Sequence, residues 1–132
     1  MKVVAVDTNL ILDFRFKREP GFNRAKDLFQ DCSQGNLRIY IPEIVFAEVE
    51  WVSRSVYQVP KTTIVEFFEE LLVMENVIFK DKKKAIHSVS IFKGVNLKFS
   101  DCLILADIAE FEPDEFITAD FELQKVYSRL MV

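Results

Sequence analysis

The chain opens on aliphatic side chains at Val3, Val4 and Val6. Polar Asp7, Thr8 and Asn9 then break the run before Leu10, Ile11 and Leu12 resume it. β-Branched residues in a short apolar run predict a strand over 2–6. The Asp-Thr-Asn step predicts a helix from about Thr8 to Phe14, because short polar side chains accept hydrogen bonds from unpaired first-turn amides. Phe22, Ala25, Leu28, Phe29 and Cys32 keep helical spacing over 22–34, and Gly35 stops that helix. "LRIYI" (37–41) reads as a second strand. Pro42 opens a helix reaching about Tyr57, and Pro60 opens the next, with Ile64, Phe67, Phe68, Leu71 and Leu72 on its inner face. "NVIFK" (76–80) and "EFITAD" (115–120) predict a third and fourth strand. Helices are expected over about 83–93 and 99–111, with "FELQKVYSRL" as a short closing one. Strands alternating with helices imply a parallel sheet covered on both faces, in a single domain spanning 1–132. Asp7 would then lie at the carboxyl end of a central strand, where open α/β sheets place ligands.

Composition narrows the class. Half of the 132 residues are hydrophobic and thirteen are Phe, enough for a core without staples, while three Gly and four Pro argue against an all-β fold of many tight turns. The few apolar residues before Asp7 are too short a core for an export signal, and no apolar run approaches the ~20 residues of a membrane span. Cys32 and Cys102 are far apart and flanked by residues that suit packed helices, so they read as buried free thiols in a reducing cytoplasm. The net charge of −4, from 17 basic and 21 acidic residues, speaks against a passive, charge-driven nucleic-acid binder. A protein that gathers carboxylates around divalent cations escapes that objection, because the metal reverses the local charge.

The informative acidic residues are those on apolar faces, since a lone buried charge is costly. Glu48 has Ile44, Val45, Trp51 and Val52 as its three- and four-residue neighbours and is expected to point along the apolar stripe. Glu50 is expected at the surface in an ordinary pair with Arg54. Asp101 opens an apolar helix over Ile104, Leu105 and Ile108, with Ser100 free to cap in its place; Asp107 lies round the helix and reads as solvated. Asp7 and Asp120 follow strands and precede helices, so capping explains each of them alone. Taken together, Asp7, Asp101 and Asp120 gather at the edge where parallel strands end, with Glu48 in reach from its helix. Carboxylates crowded this way need a cation, and hard oxygen donors without a His or Cys set point to Mg²⁺ or Mn²⁺.

Four segments resemble, in order, the motifs of PIN-domain ribonucleases, and most of all the toxin subunits of prokaryotic VapBC-type toxin–antitoxin pairs. "VAVDTNLIL" resembles the opening strand and Asp-Thr-Asn motif. "IPEIVFAEVEWV" resembles the Pro-led helix whose Glu lands on Glu48. "FSDCLILADIA" resembles the third acidic motif, on Asp101, and "FITADFELQKV" the closing Thr-x-Asp motif, on Thr118 and Asp120. The resemblance spans the whole chain. It implies a three-layer α/β/α sandwich around a parallel sheet of four or five strands, metal-dependent endonucleolytic cleavage of RNA, a homodimer, and a cognate antitoxin whose C-terminal segment covers the site. The family's basic RNA-contacting residues hold no fixed positions and do not transfer.

The chemistry agrees with that reading. Phosphodiester hydrolysis needs an activated water and stabilisation of the leaving oxygen, and divalent ions supply both. Asp7, Glu48, Asp101 and Asp120 are the expected metal ligands, with Thr8, Asn9 and Thr118 orienting carboxylates or phosphate. Arg15, Lys17 and Arg18, close in sequence to Asp7, are the candidate RNA contacts; "KDKKK" (80–84) reads as a solvated basic run. His87, the one histidine, lacks a nucleophile motif, and there is no Gly-rich phosphate loop. A haloacid-dehalogenase-type phosphohydrolase would want a second Asp at position 9, which is Asn. A phospho-receiver domain would want a late strand-end Lys that "FITADFE" lacks. A catalytically silent interaction module of this fold, and an RNA-processing nuclease using the same site, remain as alternatives.

Overall fold

The computed structural model describes residues 1–131. Its elements run β1 (Lys2–Ala5), α1 (Thr8–Phe16), α2 (Phe22–Ser33), β2 (Leu37–Tyr40), α3 (Glu43–Ser55), α4 (Lys61–Val73), β3 (Val77–Ile78), α5 (Lys82–Gly94), α6 (Phe99–Phe111) and α7 (Phe121–Met131). The strands form one parallel sheet in the order β1-β2-β3, with Val4 facing Ile39 and Ile39 facing Val77 across the ladders. Two helices in each crossover cover the sheet and make an α/β/α arrangement. Local signals act where expected. Gly35, at φ +80°, follows α2 and donates to the Cys32 carbonyl, while Asn36 donates to the carbonyl of Asp31, closing the helix end with both orphan carbonyls satisfied.

The sheet departs from expectation in two ways. It has three strands among the described residues, not four or five, because 115–120 forms no ladder. There the Thr118 hydroxyl accepts the Asp120 N–H at 3.0 Å, Phe116 packs on the Tyr127 ring, and Ile117 stays 80% exposed. A side-chain turn has taken a backbone donor that a ladder would use, and strand-forming composition alone supplies no partner. The central strand is therefore β2, with Leu37 and Ile39 buried, and β1 is an edge with Lys2, Val3 and Ala5 exposed. Asp7 follows an edge strand, not a central one.

The core is aromatic. Phe46 of α3 meets Phe68 of α4, Phe79 and Phe99 of α6 at ring-centroid distances of 4.7, 5.4 and 6.0 Å. Phe99 also takes Phe68 and Phe92 edge-on, geometries that each add about 0.5–1.5 kcal/mol beyond area burial. These rings fix α3 against α6, and α1 also packs on α3. That packing sets where the acidic side chains emerge. Both cysteines are buried free thiols.

Candidate active site

Three of the four expected carboxylates sit at helix N-termini. Asp7 caps α1, its Oδ1 accepting the Leu10 N–H at 3.1 Å, and Asp120 does the same for Leu123 at the start of α7. The capping reading is therefore correct for both, and each keeps a second carboxylate oxygen that makes no side-chain or capping bond among the described residues. Asp101 occupies the first turn of α6 and is 8% exposed. Burial raises its carboxyl above the ordinary aspartate range; Lys98 pulls it down again and Asp120 pushes it further up. Asp101 and Asp120 thus feel one another, and both line a cleft of ≈ 480 Å³.

Glu48 lies in a neighbouring cleft with Thr8, Asn9 and Trp51. The Thr8 hydroxyl donates to Glu48 Oε1 at 2.8 Å, tying α1 to α3 beside Asp7. Asn9 is held as well: Arg18 donates to its carbonyl and its side-chain oxygen, and pairs with Asp13 at 2.8 Å. Thr118 is spent on the Asp120 amide. The acidic side chains thus fall into a pair, Asp101 with Asp120, and a Thr8-bound Glu48 next to Asp7. Among the described residues no three of them converge within common reach of one ion.

The phase of α3 differs from the one its sequence suggests. Ile44 and Trp51 are 62% and 55% exposed while Val45 and Val52 turn inward, so Glu48 lies on the exposed side of the helix and not along a buried stripe. Glu50, expected at the surface, is 1% exposed, on the buried face with Phe46, Val49 and Ser53. Apolar residues occur on both sides of this helix, so periodicity could not choose between them. Glu50 tolerates burial because both its oxygens are matched: Oε1 accepts the Phe99 N–H at 2.9 Å and Oε2 meets Arg54 Nε at 2.6 Å. The first free amide of α6 is thereby satisfied from another helix, and Lys98 at the N-cap position makes no side-chain cap.

The basic residues divide similarly. Arg15 stands over the Phe67 and Phe16 rings at 5.3 and 5.7 Å and, with Lys17, lines a separate cleft alongside Glu66 and Glu70. Of the three expected RNA contacts, Arg18 alone bonds a residue of the acidic motifs, Asn9. Lys84 of the "KDKKK" run is engaged by Glu43 and Asp107 at 3.0 and 2.9 Å. The cations beside Asp101 and Asp120 are Arg54, Lys61 and Lys98, which the sequence pattern did not single out. Their one legible signal is the i,i+4 spacing of Glu50 and Arg54.

Hard carboxylate oxygens, one of them on a buried Asp whose charge is disfavoured, are a donor set that suits a hard divalent cation. Among the described residues no helix is long and apolar enough to cross a membrane. The family model described as PIN domain matches residues 4–128. No curated protein and no solved structure matches the chain.

Proposed function

The chain belongs to the PIN-domain family, and from that premise we propose that it is a divalent-metal-dependent endoribonuclease. Proteins of this family are typically nucleases. The observation that carries the finer reading is the placing of Asp101 and Asp120 on one cleft, where burial and the nearby Asp120 disfavour the Asp101 charge that a bound cation would stabilise. Asp101 and Asp120, which share the cleft, would hold Mg²⁺ or Mn²⁺, and Asp7 and Glu48 are proposed to complete the ligand set from the neighbouring cleft. When bound, such an ion lowers the pKa of its water and stabilises the leaving oxygen of the phosphodiester.

The chain's own residues do the positioning. Thr8 fixes Glu48 through its 2.8 Å hydrogen bond, and Arg18 fixes Asn9. Thr118 holds the Asp120 backbone, which orients the carboxylate at the mouth of α7. Backbone capping keeps one oxygen each of Asp7 and Asp120 in place. The four motifs extend the reading to the toxin of a toxin–antitoxin pair: a cytoplasmic homodimer whose cognate antitoxin covers the site.

The test is incubation with single-stranded and structured RNA, followed by sequencing of the new ends. Cleavage with Mg²⁺ or Mn²⁺, its loss in EDTA, and its loss in Glu48→Gln are expected. Robust cleavage in excess chelator overturns the metal-dependent reading.

A further inference from the structure

Arg54 projects from α3 beside the cleft that Asp101 and Asp120 line, and its side chain is 47% exposed. Only its Nε edge is used, on Glu50 Oε2; among the described residues its two terminal nitrogens carry no other hydrogen bond. Glu50 is itself fixed, with Oε1 on the Phe99 amide. The guanidinium is therefore held at its inner edge and presents its outer fork. Two more cations share the cleft. Lys61 is steadied by the Val95 carbonyl and by the Phe92 ring 4.7 Å away, and Lys98 lines the cleft together with Asp101. The cleft sets these three cations against three carboxylates, Glu50, Asp101 and Asp120, which alone would repel a phosphate.

We infer that Arg54, oriented by the buried Glu50, is a phosphate clamp that receives a backbone phosphate of the RNA strand next to the bond cleaved. The inference rests on the nuclease reading above. A planar fork with a fixed inner edge matches two phosphate oxygens, which a flexible ammonium does not. The cleft, ≈ 480 Å³, lies within the ~300–1,000 Å³ range of sites that bury a small ligand unit. Lys61 and Lys98 add charge without that geometry.

The experiment compares wild type, Arg54→Gln, Arg54→Lys and, as a remote control of equal charge change, Lys93→Gln. Each is checked by thermal melting, then assayed for kcat and KM on a labelled single-stranded oligoribonucleotide over a series of salt concentrations with Mg²⁺. Arg54→Gln should raise KM about tenfold, the worth of one charge-assisted hydrogen bond. Its kcat should stay within about twofold, and the salt dependence of log(1/KM) should lose about one unit of slope. Arg54→Lys should keep the slope with an intermediate KM, and Lys93→Gln should match wild type. A folded Arg54→Gln with wild-type KM and slope, or one that loses kcat alone, overturns the clamp and leaves the nuclease reading standing. A wild type that cleaves no RNA overturns both.

Discussion

Glu50→Ala removes a carboxylate that is 1% exposed and satisfies groups on two helices. Deleting one partner of a fully buried ion pair costs about 3–5 kcal/mol, because the other charge is stranded. Here Arg54 is half exposed and can turn to water, so that part of the loss is small. The Phe99 amide has no such escape, since Phe99 is wholly buried. An unsatisfied buried donor costs about 1–3 kcal/mol, and the void left by the side chain adds to it, for a total of about 2–4 kcal/mol. At about 4 °C per kcal/mol for a chain of this length, the melting temperature should fall by about 8–16 °C. Glu50→Gln keeps an acceptor for Phe99 but turns an amide donor toward the Arg54 Nε–H, so a smaller fall of about 4–8 °C is expected. Combining Glu50→Gln with Arg54→Gln should recover part of that fall, since the two neutral amides can pair and the single losses are not additive for groups in contact. Thermal melts by circular dichroism at pH 7 decide it. A Glu50→Ala variant melting within about 2 °C of wild type would mean that water reaches the Phe99 amide and that α3 is not locked to α6 through this pair.

Asp101→Asn without metal should melt at or above wild type near neutral pH. Burial raises the folded-state pKa of Asp101, so the folded chain binds the proton more tightly than the unfolded one. Its ionisation therefore removes stability as pH rises from the ordinary aspartate range through the raised value. Melts from pH 3 to 8 should show the variant's advantage vanish at the acid end; a variant less stable than wild type at every pH would make Asp101 a structural residue. The thiols should be inert in the folded chain. Burial pushes Cys102 up to about 12 and raises Cys32, whose Sγ donates to the Asn76 carbonyl at 3.3 Å. Both should resist iodoacetamide at pH 8 and react in urea, as counted by mass spectrometry; rapid native labelling of Cys102 would contradict its packing.

Much of this protein was determined locally and could be read without coordinates. Apolar periodicity placed the helices, Gly35 ended α2, and Asp7 and Asp120 capped the helices they precede, since each of these depends on neighbours within about four residues. The order and spacing of the four acidic motifs carried the family. Partners distant in sequence decided the rest. Strand-forming residues at 115–120 found no ladder, because a strand exists only where another lies beside it. The apolar residues on both faces of α3 led its spacing to the wrong phase, and the aromatic contacts of Phe46 with Phe68, Phe79 and Phe99 chose the other one. That choice put Glu50 inside and Glu48 out. The buried carboxylate is stable there because an amide 49 residues away donates to it, and such a contact leaves no trace in local spacing: tertiary packing creates it.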